Sequence, residues 1–408
     1  MADALAGTMV LVANDPVSGW LWVHKTAPSR DGATWQAAVD KGLQGMRITL
    51  HGVSTDGAPG LIYLALTALK VSWFAELFHG QYELTRACHR GLALRVETAQ
   101  TAHQEQVEVT QAVRSQLRAR ARGERRPGRP ADLDRHLAEA EAAQNESAAT
   151  LRRARADQET MREVVRGLSE ALHPVDLATG EVRQGPEVTH ALETLVARAR
   201  LVGERLGDRA SKAVEKVQRW VPSWSAMVPA WWARVRTRVE AEGLSPALTL
   251  VLLQVLIPAM YVAAVAQRNH LPAEARKTLR GVQERLLSKV RGDAAWQRLG
   301  RPARAQLLAL SEECAGWFVR STGSTEGHNG WLRQRFQALH RVTDAWLETQ
   351  QVLHNFYLRR PDGTTAAERF FGTAPPDLVE HLVRTMPLPA LPRRRKTAGT
   401  DRLTTLNL

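Results

Sequence analysis

Two acids in this sequence stand where chemistry could be done. Asp56 lies in "STDGAPG", directly after the apolar run "MRITLHGV", and Glu326 lies in "STGSTEGHNG", directly before an amphipathic basic segment. A lone carboxylate does little hydrolytic work, but several converging on one point can hold two divalent cations that activate a nucleophile and stabilise a leaving phosphodiester oxygen. Each acid also has a plainer role available. An Asp-Gly pair is an ordinary turn, and a carboxylate in a first helical turn, capped by Ser324 or Thr325, is favoured by the helix dipole. At about 100° per residue, Glu326, Asn329, Arg333 and Gln337 share one helix face, while Leu332, Phe336 and Leu339 fall on another. The acid therefore ends a polar, basic stripe.

Charge narrows the partner. The 408 residues carry 55 Lys and Arg against 42 Asp and Glu, a net +13, which selects an anion, most simply a polyphosphate backbone whose counterions basic side chains displace. The only cysteines are Cys88 and Cys314; with no zinc-type spacing they imply a reducing, cytoplasmic setting. Residues 247 to 266, "ALTLVLLQVLIPAMYVAAVA", could span a bilayer by length. Gln254, Pro258 and Tyr261 inside the run, and basic residues on both sides of it, favour a buried helix interrupted near Pro258. No membrane partner is expected, and "MADALAGTMV" has no basic start of a secretory signal.

The elements that must position the acids can be read from period and punctuation. "TMVLVAND" and "WLWVHKT", joined by "DPVSG", make a hairpin. "TWQAAVDKGL" is a helix, "MRITLHGV" a buried strand, residues 61 to 70 a helix and "VSWFAELFHG" a further strand. Residues 91 to 173 are long helix broken at 122 to 132, hence a helical hairpin. In its second arm Leu133, Leu137, Ala140, Gln144, Ser147, Leu151, Ala154, Gln158, Met161, Val165, Leu168 and Leu172 alternate at spacings of four and three, a thin coiled-coil register within one chain. Helices follow over 188 to 319, where Trp220, Trp224, Trp231 and Trp232 at helical spacing read as core anchors rather than base-stacking platforms. "TAAE", from Thr365 to Glu368, is a capping box. The tail from 373 is partly disordered in this reading, and its basic "PRRRK" could touch DNA.

In this order the elements resemble the DDE transposases of bacterial insertion sequences. The motifs that carry the resemblance are "VSTDGAPG", "FHGQYEL", "STEGHNGWLRQRF" and "LHNFYLRRPDGTTAAERFFG", over residues 9 to 90 and 320 to 372. It implies a ribonuclease H-like catalytic domain, with a mixed sheet, split between 1 to 90 and 320 to 372 by an all-α insertion over 91 to 319, the whole being mostly helix. Asp56 would match the second acid of the triad and Glu326 the last, both binding Mg²⁺ or Mn²⁺. Asn329, Arg333 and Arg335 would contact double-stranded DNA, and the protein would work as a homodimer across two DNA ends. His79, near the start of the insertion, is expected to be a packed strand-end residue. The family's first acid sits on a strand ahead of the hairpin, where this chain has only "MADALAGT". Asp3 is the one acid available there, and the expectation is a chain shortened at its N-terminus. Two functions are then open: metal-dependent DNA nicking and strand transfer, or a catalytically dead, basic, helical DNA-binding protein.

Overall fold

β1 (Met9–Asn14) and β2 (Leu21–Ala27) pair antiparallel, with Met9 opposite Ala27 and Asn14 opposite Leu21. Asp15 fixes the turn between them, accepting from the Ser18 backbone N–H at 2.7 Å and its hydroxyl at 2.5 Å. Gly19 closes it at φ 81°, a left-handed conformation that favours glycine. α1 (Gly32–Leu43), capped by Asp31, lays Trp35, Ala38 and Val39 on Leu11 and Val23 of the hairpin.

The next elements are shorter than their hydrophobic runs suggest. β3 is only Val53–Thr55, not 46 to 53, although residues 46 to 51 alternate between half-buried and exposed as a strand would. Alternation sets which side a residue faces; a strand also needs a hydrogen-bonding neighbour. α2 (Pro59–Tyr63) continues as a π turn over Leu64–Ala68. β4 (Trp73–Ala75) pairs parallel with β3, and the chain is helical again from Leu77, so "LFHG" opens a helix instead of ending a strand. Among the described residues the strands form two separate pairs, β1 with β2 and β3 with β4, where a single mixed sheet was expected.

The remainder is helix, and the protein as a whole is mostly helical. α3 (Leu77–Ala121) and α4 (Leu133–Ala171) form the long hairpin, with Asp132 capping the second arm. The expected seam holds at Ala140, Leu151, Met161 and Leu168. It shifts at Val164, fully buried in place of Val165, and at Asp157, buried and held by Arg205 through Nη2 at 2.5 Å. There α4 packs on two helices, α3 and α5 (Gly185–Leu206), so its buried face is wider than one seam. α6 (Asp208–Glu240) carries the four tryptophans, all at most 6% exposed. The run α7 (Pro246–Val251), a π turn (Leu252–Leu256) and α8 (Ile257–Ala266) is one apolar helix, irregular just before Pro258. By length and composition it could cross a membrane, but most of it lies inside the helical core, with Leu252, Leu256, Ile257 and Tyr261 fully buried. α9 (Ala273–Gly292), α10 (Ala294–Gln297) and α11 (Arg301–Gly316) complete this core.

α12 (Gly323–Ala338), α13 (Asp344–Phe356) and α14 (Ala366–Phe371) return the chain to the hairpin, and α15 (Leu378–Thr385) comes after them. Thr365 and Glu368 form the expected capping box. The computed structural model describes residues 9–124, 132–268, 271–320, 323–338 and 342–386, excepting the side chains of 324, 337, 338 and 378. Asp3 and the basic tail lie outside them.

Two buried histidines tie stability to pH. His173, 4% exposed, sits with Nδ1 2.7 Å from the Tyr261 hydroxyl, and burial, then the nearby Arg320, Arg268 and Arg183 charges, push it down to about 2. Burial likewise lowers His24 to about 4. A histidine that resists protonation in the fold but not in the unfolded chain leaves stability intact above pH 6.5 and erodes it below, down to the folded value. Urea titrations should show a loss near pH 5 of about 2 kcal/mol for each of the two, relative to neutral pH. Equal stability at both pH values would contradict their burial.

Candidate functional site

Asp56 and Glu76 leave the C-terminal ends of neighbouring parallel strands. Thr55 and Ala75 are cross-strand partners, and the Glu76 N–H donates to the Thr55 carbonyl at 2.8 Å. At strand spacing of about 4.8 Å, the two acids start side by side. Asp56 is exposed and its Oδ1 accepts from the Ala58 N–H at 3.0 Å, so it does make the ordinary Asp-Gly turn. Gly57 follows at φ 81°, with the Trp220 ring where a Cβ would stand. Thr55 locks the turn from below: its hydroxyl accepts from Gly57 N–H at 3.2 Å and from Trp73 Nε1 at 2.8 Å.

Glu76 is 1% exposed and pairs with Nδ1 of His79, one helical turn on. This contact raises the His79 pKa; burial opposes it, and the charges of Glu76, Asp56 and Glu326 add to the rise. One histidine thus feels acids from the end of β3, the end of β4 and the first turn of α12. His79 is a half-buried helix residue beside the candidate acids, not the packed strand-end residue expected from sequence.

Glu326 is exposed on the first turn of α12. Two contacts hold this helix start in place: Thr325 Oγ1 donates to Asn14 Oδ1 at the end of β1 (2.5 Å), and the Leu77 N–H donates to the Arg320 carbonyl (3.3 Å). Thr325 therefore reaches across the molecule. Further along, Leu332 is buried, whereas Arg333 and Arg335 are exposed, with the Arg335 guanidinium 5.5 Å from the centre of the Trp331 ring. Asn329 is half-buried on the same helix.

Three histidines that the sequence alone gives no role pin α12 to the hairpin. His328 Nε2 lies 3.3 Å from His24 Nε2, and its ring meets that of His354 at 5.5 Å. His24 Nδ1 is 2.8 Å from the Leu347 carbonyl and His354 Nε2 is 2.9 Å from the Gly19 carbonyl. Burial, then the other two rings, lowers His328 to about 3. All three are neutral packing groups at physiological pH.

The aromatic-rich segment after α12 also has a structural role. Asn355 of α13 accepts from the Leu21 N–H at 2.9 Å and donates to the Leu21 carbonyl at 3.0 Å, as a strand neighbour would. Arg369 donates to the Ser18 carbonyl at 2.8 Å, and Phe356, Phe370 and Phe371 surround Trp20. Asn355 and the phenylalanines in "LHNFYLRRPDGTTAAERFFG" are therefore clamps on the β1–β2 turn. Only side chains that reach from α13 and α14 to residues 18 to 21 reveal this, so the linear motif could not.

The fold thus sets Asp56 and Glu76 side by side at the strand ends, puts His79 within reach of the charges of Asp56, Glu76 and Glu326, and carries Asn329, Arg333 and Arg335 on the helix that starts with Glu326. Among the described residues, no three His, Cys, Asp or Glu side chains stand close enough to hold a metal ion. Residues 252–398 match a family of unknown function, DUF6399. The match covers Glu326 and the histidines of α12 and α13 but not Asp56. No curated protein and no solved structure matches the chain.

Proposed function

We propose that this chain is a DDE transposase-like protein that nicks double-stranded DNA and transfers strands at insertion-sequence ends in the cytoplasm. The observation that carries the reading is that the ends of β3 and β4, with Asp56 and Glu76, lie beside the chain that leads into α12 through the Leu77–Arg320 bond, so that His79, bonded to Glu76, feels the charges of both Asp56 and Glu326. The strand pairing supports it. An antiparallel hairpin and a parallel pair followed by an acid are the strand pairs that a ribonuclease H-like sheet carries on either side of its first strand. The net charge of +13 fits a DNA partner.

The donor chemistry fits Mg²⁺ or Mn²⁺. Carboxylate oxygens suit these hard cations, and Mg²⁺ is commonly held by one or two carboxylates with water and substrate phosphate completing the shell. Asp56 and Glu326 would hold it, and when bound it would supply an activated water and charge relief at the leaving oxygen. The chain's own part is to orient. Asp56 is fixed by its turn and Glu326 by the docked start of α12, while Asn329, Arg333 and Arg335 take the DNA backbone along the stripe. Two copies act together across two DNA ends.

Supercoiled plasmid incubated with purified protein and Mg²⁺ tests this. Nicking that EDTA abolishes and that falls in Glu326→Gln supports the reading. Salt-sensitive DNA binding with no metal-dependent nicking leaves only the alternative, a catalytically dead DNA-binding protein.

A further inference from the structure

The first turns of α3 carry an exposed feature that neither the acids nor the core accounts for. Phe78 is 55% exposed and Tyr82 49% exposed. Their rings lie nearly parallel, 21° apart with centroids 6.1 Å apart, and Phe78 also meets the His79 ring at 5.8 Å. The helix does not lack a buried face here: Leu77, Gly80, Leu84 and Cys88 all point into the core. Phe78 and Tyr82 stand off that face, with about half of each side chain left in solvent.

Beyond Tyr82 the same side of the helix is basic. Arg86 sets its guanidinium 5.8 Å from the Tyr82 ring centre, and Arg90 comes next at the same spacing of four, both exposed. Residues four apart on a helix rise about 6 Å and turn about 40°, so two rings and two guanidinium groups make a ladder that winds along α3 away from His79. Glu83 steadies Arg86 at 3.2 Å while it also binds Lys216 at 3.0 Å. Beside the ladder, a groove of about 260 Å³ between α3 and α4 has a mostly apolar floor of Leu92, Met161 and Val165, with Arg162 and Arg166 at its side.

Stacked aromatic faces continued by cations are the requirement for unpaired nucleotides: the rings take bases of any sequence, and the cations take the backbone. A row of guanidinium groups continuing the rings suits a polyanionic strand best, since each can take a backbone phosphate. We propose that Phe78, Tyr82, Arg86 and Arg90 form a platform for single-stranded DNA beside the candidate site. The inference deepens the nuclease reading and rests on it only for why a single strand is present there.

The test is fluorescence anisotropy of the full chain with labelled oligothymidylate and with duplex DNA. Phe78→Ala combined with Tyr82→Ala should weaken single-strand binding about tenfold or more and duplex binding far less, while Tyr82→Phe keeps the wild-type affinity. Arg86→Ala and Arg90→Ala should each flatten the single-strand salt slope by about 0.7. The altered side chains are exposed, and circular dichroism confirms folding. Unchanged single-strand affinity in the folded double variant overturns the inference, as does a wild-type chain that ignores oligothymidylate. So does a double variant that changes only the sedimentation of the protein from dimer to monomer, which would make the patch an interface between copies. Normal nicking with unaltered single-strand binding overturns the platform alone. A functioning platform on a chain that never nicks overturns the nuclease reading alone.

Discussion

With Glu326 in the proposed role, Glu326→Gln should reduce metal-dependent nicking by about a thousandfold or more, because losing one of two proposed anionic ligands would remove several kcal/mol of transition-state stabilisation at about 1.4 kcal/mol per decade. Glutamine keeps the size and helical preference of glutamate. The loss from the helix dipole is only about 0.3 to 1 kcal/mol, so the fold should survive and a urea titration would verify it. Asp56→Asn should fall as far, since asparagine can still accept from the Ala58 N–H and preserve the turn. The double variant should be scarcely worse than either, as members of one catalytic unit are not additive. A second readout is independent of activity. His79 is raised first by its bond to Glu76 and then by the charges of Asp56 and Glu326, so its NMR titration should move to lower pH in both variants. Wild-type nicking by Glu326→Gln would refute the assignment; an unmoved His79 would refute the geometry beneath it.

Trp224→Ala should cost about 3 to 5 kcal/mol, the range for deleting a large buried aromatic. Trp224 is fully buried, its Nε1 donates to the Ala75 carbonyl at 2.9 Å, and its ring fills the space where a Cβ on Gly80 would stand. Its neighbour Ser223 donates to the Trp73 carbonyl at 2.8 Å and accepts from the Ala75 N–H at 2.7 Å. The α6 helix therefore supplies β4 with hydrogen bonds beyond its pairing to β3, and Glu76 follows directly on β4. Removing the ring should loosen both the helical core and the strand end that presents Glu76 and His79. Trp224→Phe keeps most of the volume and should lose about 1 kcal/mol for the indole bond. Gly80→Ala should be costly from the opposite direction, about 1 to 3 kcal/mol, by overpacking against the same ring. Denaturant midpoints measure all three, and a Trp224→Ala protein as stable as wild type would contradict this packing.

The long helices and the hairpin were legible in the residues because their causes are local. α3 ends at Ala121 and Asp132 caps the start of α4, either side of the Gly- and Pro-rich run, the alternation of "MVLVAN" and "LWVHKTA" makes β1 and β2, and Thr365 with Glu368 caps α14. The four tryptophans of α6 were equally plain as core. Asp56 and Glu326 could be singled out from their surroundings, a turn after an apolar run and a helix start in a small polar stretch.

Tertiary structure decided how far the strands extend and which groups stand beside the acids. Residues 46 to 51 alternate like a strand, yet among the described residues of this stretch only Val53–Thr55 has a strand partner, and pairing depends on another segment. "LFHG" continues an apolar run, but it turns helical at Leu77, where Trp224 and Ser223 of α6 hold the preceding strand. Glu76 and His79 gained significance only when β4 was set against β3, and His24, His328 and His354 only when α12 and α13 closed over the hairpin. Local sequence governs period, caps and turns, since these join residues a few positions apart. That Asp56 and Glu326 both act on His79 depends on packing between distant helices and strands, and no local rule encodes that.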